Sequence, residues 1–248
     1  ALVMEVWPAE IRPLMAGAIG AAANMGYCLI ALIAMWKPPT PEWWRWVMLV
    51  GATPAALTFL IRLFVPESER WKHAVEVALP RPVREIFAPG LRGATLLPIA
   101  FAGVALIGTW GIVQWIPLWA DQMSQLSVRH DPKIKAHAQF WMSFGAVIGS
   151  LGAPLLGIGF GRRPVYFGLC VVSLLVCSFL FRGFREISAS FFFTVCLTRA
   201  CTASFYGWLP QYLPELFPTR VRATGQGLSF NFGRILAAVG VWQMGSIM

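Results

Sequence analysis

The feature that most limits the possible folds of this chain is its succession of long apolar blocks. A helix needs roughly 20 predominantly apolar residues to cross the hydrocarbon core of a bilayer. Six blocks of about that length cover residues 14–36, 46–64, 94–120, 136–160, 164–181 and 188–213. Two partial blocks flank them, at residues 1–7 and from residue 223 onward. We therefore predict an all-α, polytopic membrane protein.

Composition supports this prediction independently. Hydrophobic residues make up 57% of the chain and charged residues only 12%, with a mean hydropathy of +0.64. Soluble domains carry about 25% charged residues. The net charge of +9 raises the possibility of nucleic-acid binding, but the Lys and Arg residues lie in short loops between apolar blocks and form no basic face. We expect the lipid bilayer as a partner and no nucleic acid.

The positive charges indicate which loops face the cytoplasm. When the loops are assigned to alternating sides, eleven of the twenty Lys and Arg residues fall on one side and seven on the other. Cytoplasmic loops carry the excess of Lys and Arg, so the side with eleven is predicted to be the inner one. The remaining two, Arg199 and Arg234, lie inside apolar blocks.

A short motif occurs twice, each time between apolar blocks. Residues 4–17 read MEVWPAEIRPLMAG and residues 214–227 read PELFPTRVRATGQG. At an offset of 210 they match in Glu, Pro, Arg and Gly. The matched pairs are Glu5 with Glu215, Pro8 with Pro218, Arg12 with Arg222, and Gly17 with Gly227. Such an internal repeat marks corresponding points in two halves of one protein.

This repeated pattern resembles the E-x-x-P-x-x-x-R motif that transporters of the major facilitator superfamily carry after their fourth and tenth helices. The resemblance implies a partial fold of two six-helix halves, running from the end of helix 4 to within helix 11. Residues 1–64 would end the N-terminal half, residues 65–93 would form the central cytoplasmic loop, and residues 94–248 would belong to the C-terminal half. The chain would then be a fragment.

Further resemblances narrow the expected function. The run ELFPTRVRATGQG with FNFGR, residues 215–234, is most similar to bacterial symporters of sugar acids and other metabolites, including the sialic acid type. PESER, residues 66–70, partly matches a motif of sugar porters. The resemblance implies a monomeric, proton-coupled carrier in the bacterial inner membrane, with the proton as coupling ion and no other cofactor.

The two intramembrane arginines are the strongest candidates for substrate contact. Arg199 and Arg234 each lie eleven residues into a block, which is roughly 17 Å deep at 1.5 Å per residue. An arginine at that depth costs about 2.5–3.5 kcal/mol, so it normally faces a partner or a wet cavity. No Asp or Glu lies within the six full-length blocks. An anionic substrate is one source of counter-charge, since guanidinium binds carboxylates bidentately. An acidic residue on another helix is the other.

Helical spacing predicts the neighbours of these arginines. Arg199, Thr202 and Tyr206 are spaced for one face, as are Gly227, Asn231 and Arg234. Gly103, Trp110 and Gln114 are spaced for one face of the block 94–120. The candidate substrate-binding residues are Arg199, Arg234, Asn231, Trp110, Gln114 and Tyr206.

The repeated motif also predicts an inner gate. Glu215 ends one block, Pro218 breaks the chain, and Arg222 begins the next block, so the Glu and Arg side chains can meet. In the resembled family, these residues engage arginines of a neighbouring inner turn and hold the outward-facing state. The residues of this predicted salt-bridge lattice are Glu5, Arg12, Glu215, Arg222, Arg162 and Arg163.

Other functions fit the sequence less well. A membrane-embedded enzyme would need an acid pair, nucleophile or metal cluster at depth, but the three histidines lie in loops or at a helix edge. The five cysteines lie in apolar runs without a metal-binding spacing. We therefore predict no catalytic residue and no metal. The alternative is a neutral sugar porter or drug efflux carrier, in which both arginines would be structural.

Overall fold

The computed structural model describes residues 7, 8, 10–37, 40, 42–64, 73, 82–127 and 131–247, and the regular structure in these residues is entirely helical. The helices are α1 (Arg12–Trp36), α2 (Trp44–Ala52), α3 (Pro54–Phe64), α4 (Pro82–Ile86), α5 (Arg92–Leu106), α6 (Ile116–Gln125), α7 (Ile134–Phe160), α8 (Arg162–Gly183), α9 (Ala189–Tyr212) and α10 (Arg222–Ile247). The all-helical prediction is confirmed.

Five helical segments of the described ranges are long and apolar enough to cross a membrane. They are Arg12–Trp36, Trp44–Ile61, Arg92–Gln125, Ile134–Phe160 and Arg163–Gly183. Helices α9 and α10 have a comparable length, with 24 and 26 residues, but they do not reach the same hydropathy. These two helices carry Arg199 and Arg234. Their lower hydropathy is what a helix facing a polar cavity requires.

Several block boundaries differ from the predicted ones for local reasons. The block 46–64 is divided between α2 and α3 at Thr53, because Pro54 has no N–H to continue the helical ladder. The predicted inner turn at residues 161–163 shrinks to Gly161, whose φ of 82° suits a residue without a Cβ. The block 94–120 extends outward to Gln125.

The segment Arg92–Gln125 is helical throughout but not uniform. A π turn at Ile107–Ile112 and a 3₁₀ turn at Val113–Trp115 separate α5 from α6. Single π turns inside α-helices are frequently found at functional sites. Residues 107–115 are therefore candidates for part of a functional site.

Helices α7 and α9 form the closest contact of the bundle through glycines. A Cβ placed on Gly145 would overlap the Cys196 carbonyl, and one placed on Gly149 would overlap the Ala200 carbonyl. Further along, a Cβ on Gly207 would overlap the Ser150 carbonyl. Small residues allow membrane helices to approach at this distance, where dispersion contacts replace the hydrophobic driving force that lipid does not supply.

Helix α1 packs against the same pair through two more glycines. A Cβ on Gly17 would lie 2.7 Å from the Ser150 carbonyl, and a Cβ on Gly20 would lie 3.1 Å from the Tyr206 carbonyl. The buried residues of α1 recur along its length from Pro13 to Ala31. Helices α1, α7 and α9 therefore form one closely packed unit.

Helices α5 and α10 form the second close pair. A Cβ on Gly233 would lie 2.9 Å from the carbonyl carbon of Ala102 and 3.0 Å from the backbone nitrogen of Gly103. Buried Leu106 and Ala237 complete a small apolar cluster, against which Tyr206 of α9 packs. Tyr206 thus lies where the two helix pairs meet.

The α7–α9 contact yields the first prediction. Gly149→Ala adds one methyl group against backbone, which no side-chain rotation can relieve, and we expect it to destabilise the protein by about 1–3 kcal/mol. Gly152→Ala is the matched control, because nothing lies within 4 Å of its new Cβ. Thermal unfolding in detergent micelles measures both. Equal melting temperatures for the two variants would contradict the close packing.

Candidate functional site

Arg199 is buried inside the bundle without a full set of partners. It lies ten residues after Ala189, the first residue of α9, which is roughly 15 Å along the helix. Its side chain is only 7% exposed, and its Nη1 atom has no hydrogen-bond partner among the described residues. A buried guanidinium group in this state needs an acceptor.

Asp121 does not supply that acceptor. It is the one buried carboxylate among the described residues, at 7% exposure. Its Oδ2 atom forms an ion pair of 2.9 Å with Lys135 Nζ and accepts a hydrogen bond of 2.9 Å from Gln125. Asp121 follows the predicted block 94–120, and that predicted boundary is wrong, because α6 continues to Gln125 and carries Asp121 on a buried face. Its charge is compensated locally.

Tyr206 joins Arg199 to the irregular part of the Arg92–Gln125 segment. The Arg199 Cζ atom lies 5.9 Å from the centre of the Tyr206 ring, as the spacing of seven residues on α9 predicts. The Tyr206 hydroxyl is 2.5 Å from Thr109 Oγ1 in the π turn. The Trp110 side chain is also close enough to this hydroxyl to interact with it. Two neighbouring residues of the π turn thus contact one tyrosine.

The π turn changes the register on which the face of Gly103, Trp110 and Gln114 was predicted. A spacing of 3.6 residues per turn does not hold across a wider turn. Gly103 is buried, and a Cβ there would lie 3.2 Å from Leu236 of α10. Trp110 remains 39% exposed, while Gln114 lies partly buried in the 3₁₀ turn. Trp110 is therefore brought to Tyr206, whereas no such contact is seen for Gln114.

Helix α10 carries the candidate residues Arg234 and Asn231. The Arg234 guanidinium stacks 5.1 Å from the centre of the Phe230 ring, and it is close enough to Tyr206 to interact electrostatically. Asn231 is exposed and donates from Nδ2 to the Gly227 carbonyl at 2.8 Å, which confirms that these two share a face. Arg234 is exposed, unlike Arg199.

Helix α1 contributes polar residues that the sequence reading passed over. Asn24 is buried at 6% exposure and donates from Nδ2 to the Gly20 carbonyl at 2.8 Å. Tyr27, one turn further, interacts electrostatically with Arg199. Their position in the sequence, as polar residues in the middle of the otherwise apolar block 14–36, could have indicated them. Within the described ranges, no group of three His, Cys, Asp or Glu residues is placed to hold a metal ion.

The inner ends of three helices share one arrangement. Helices α1, α5 and α10 each begin with an arginine whose Nε donates to a carbonyl of the preceding segment. These hydrogen bonds are Arg12 to Trp7 at 2.8 Å, Arg92 to Phe87 at 2.9 Å, and Arg222 to Pro214 at 2.8 Å. Each arginine thus ties the start of a helix to the backbone that leads into it, against the unfavourable helix dipole.

The predicted inner lattice is brought together only in part. Arg222 contacts the backbone beside Glu215, and both residues have interaction partners. Arg163 is exposed and shows no polar contact with the described side chains. Glu5 and the side chain of Arg162 lie outside what the structure describes. The role of these residues in a lattice stays a prediction.

A sequence profile described as Major Facilitator Superfamily matches residues 1–241. The chain belongs to this superfamily. This match confirms the resemblance that the repeated Glu-Pro-Arg motif indicated. Family membership and the apolar helices together make this an integral, multi-pass membrane protein.

Similar proteins of the superfamily carry transporter names. The chain is 24% identical to the cis,cis-muconate transport protein of Acinetobacter baylyi, over 96% of this chain and 58% of the relative. It is 24% identical to an inner membrane metabolite transport protein of Escherichia coli, over 96% of this chain and 57% of the relative. It is 26% identical to the 3-(3-hydroxy-phenyl)propionate transporter of E. coli, over 83% of this chain and 49% of the relative.

These comparisons cover only part of the relatives. The chain spans roughly half to three fifths of the length of the curated relatives it matches. No solved structure gives a significant match. The family description and the relatives' names are those of transporters and not of enzymes, in agreement with the expectation from the sequence.

The predicted inner gate yields the second testable prediction. Glu215→Gln should loosen the inner end and raise access to the contact of α1 with α7 and α9. Ser150→Cys, in a background without the five native cysteines, is a suitable reporter because Ser150 is fully buried at that contact. We expect its maleimide labelling rate to rise several-fold.

Arg84→Gln is the matched control, since it also removes a charge at the predicted inner side, from an exposed side chain outside the predicted lattice. Labelling that is the same in Glu215→Gln and in the parent would remove Glu215 from the gate.

Proposed function

We propose that this protein is a secondary active transporter that moves a small organic anion across the bacterial inner membrane by alternating access, coupled to protons. The observation that carries the proposal is Arg199, a buried guanidinium group whose Nη1 atom has no acceptor among the described residues. A carboxylate of the substrate would satisfy it with a charge-assisted hydrogen bond.

The surroundings of Arg199 favour a flat, unsaturated acid over a polyol. The Tyr206 ring lies 5.9 Å from the guanidinium, and Trp110 lies beside the Tyr206 hydroxyl. Aromatic rings offer apolar faces to the body of a planar ligand, while their polar edges remain hydrogen-bonded. The names of two relatives, which transport muconate and a hydroxyphenylpropionate, support the same class of substrate.

Arg234, Asn231 and Gln114 complete the proposed substrate site. Arg234 is exposed and reaches Tyr206 electrostatically from α10, so it would attract the anion before Arg199 binds it. The Asn231 Nδ2 atom donates to the Gly227 carbonyl, and its amide oxygen, which accepts no hydrogen bond from the described residues, would accept one from a donor group of the substrate. Gln114 would contact the distal end of the substrate.

Proton coupling and a monomeric state belong to the same proposal and come from the family resemblance. The buried carboxylate Asp121 is already paired with Lys135 and accepts a hydrogen bond from Gln125. We therefore place the coupling carboxylate elsewhere in the transporter. The proton would be the coupling ion, with no other cofactor.

The test of this function is uptake by the protein in proteoliposomes. We expect 3-(3-hydroxyphenyl)propionate to accumulate when an inward proton gradient is imposed, and to equilibrate slowly without it. Sialate and a neutral hexose serve as alternative substrates. Uptake of the hexose instead of either acid would contradict the proposal and would favour a neutral sugar porter.

Substitution of Arg199 tests its role directly. Arg199→Gln removes the charge and should raise the KM for the acid by about 10- to 100-fold, because hydrogen bonds to charged groups are worth about 1.5–3 kcal/mol. Arg84→Gln, which removes an exposed charge outside the proposed site and the predicted lattice, should leave uptake unchanged. Gel filtration of both variants verifies folding. Wild-type uptake by a well-folded Arg199→Gln variant would reject Arg199 as a ligand.

A further inference from the structure

The relative direction of α1 and α9 follows from their glycine contacts. Along α7 and α9, Gly145 meets Cys196 and Gly149 meets Ala200, so these two helices run parallel. Gly17 of α1 contacts α7 at Ser150 and, one turn later, at Pro154, whereas Gly20 contacts α7 only at Ser150. Higher residue numbers in α1 therefore lie beside lower residue numbers in α7. Helix α1 runs antiparallel to both α7 and α9.

This direction places Tyr27 at the depth of Arg199. Gly20 faces the Tyr206 carbonyl, which fixes one point of contact between α1 and α9. Tyr27 is seven residues beyond Gly20, and Arg199 is seven residues before Tyr206, so both lie roughly 10 Å outward from that contact. A step of seven residues also returns to the same helix face. The electrostatic interaction of Tyr27 with Arg199 agrees with this placement.

Tyr27 and Arg199 thus share one depth on neighbouring helices. No hydrogen bond joins them in the described part of the chain, and Arg199 Nη1 has no acceptor there. Tyr27 is 45% exposed, so its side chain is not enclosed by the packing of α1. Two hydrogen-bond donors at one depth on neighbouring helices are suited to the two oxygens of one carboxylate.

We propose that the Tyr27 hydroxyl of α1 donates the second hydrogen bond to the substrate carboxylate held by Arg199 of α9. This inference rests on the proposed transport of an organic anion and names the residue that completes the carboxylate site. The repeat assigns α1 to the N-terminal half and α9 to the C-terminal half. The bound carboxylate therefore bridges the two halves at the level where their helices pack.

Bridging gives the substrate a direct effect on alternating access. A ligand shifts a conformational equilibrium only by its differential affinity for the two states. A carboxylate that bonds to both halves binds best when α1 and α9 are packed together at this depth. Separation of the halves removes the Tyr27 bond and weakens binding, which favours release.

The test is a double-mutant cycle on ligand affinity. The probe is 3-(3-hydroxyphenyl)propionate, and its Kd is measured by fluorescence titration of the purified protein. We expect Tyr27→Phe to raise the Kd about tenfold, since it deletes only the hydroxyl. In the Arg199→Gln background, the same substitution should change the Kd by less than about twofold, because the carboxylate is no longer fixed opposite Tyr27.

Tyr166→Phe is the matched control. Tyr166 packs in an aromatic cluster with Phe101 and Trp208, away from Arg199, so its hydroxyl should not matter for binding. Tyr27→His restores a donor and should recover part of the affinity.

The outcomes separate this inference from the proposed function. Wild-type affinity in Tyr27→Phe, together with lost binding in Arg199→Gln, would overturn the role of Tyr27 and leave anion transport intact. An effect of Tyr27→Phe that is equal in both backgrounds would also overturn it. Failure of the wild-type protein to bind any of the acids would overturn both.

Discussion

The close approach of α7 and α9 is the contact on which the rest of the structure depends. Gly145, Gly149 and Gly207 bring the backbones together, and α1 joins the same unit through Gly17 and Gly20. In lipid, such packing replaces the hydrophobic effect as the source of helix association. It fixes the depth of every side chain on α9. The position of Arg199 is therefore set by glycines on neighbouring helices.

A fixed arginine in a low-dielectric interior creates the functional requirement. Its charge is costly at this depth, and the one buried carboxylate among the described residues is already paired with Lys135. Tyr206 offers its ring, while the hydroxyl of Tyr206 is engaged by Thr109 of the π turn. Tyr206 is thus held in place beside the guanidinium, while Arg199 Nη1 has no acceptor among the described residues. Such a site is prepared for an anion that supplies the missing acceptor.

The sequence predicted the helical architecture well, because apolar blocks and the repeated motif are strong signals. It also predicted the pairing of Arg199 with Tyr206, since both lie on one regular helix. The predictions from helical spacing were wrong where the helix is irregular. The π turn changes the position of Trp110 and brings Thr109 to the Tyr206 hydroxyl. Helix α6 extends past the predicted block and buries Asp121. Tyr27 could not be predicted as a site residue, because its position beside Arg199 depends on the register between α1 and α9. Residue spacing within one helix carries no information on that register.

The most direct test of this account compares an acid with its uncharged twin. The amide of 3-(3-hydroxyphenyl)propionate keeps the ring and the shape of the acid but removes its charge. If Arg199 obtains its counter-charge from the substrate, the acid should bind to the wild-type protein at least about tenfold more tightly than the amide, as expected for a hydrogen bond to a charged group. Equal affinities for acid and amide would show that Arg199 is structural and that the substrate is not recognised as an anion.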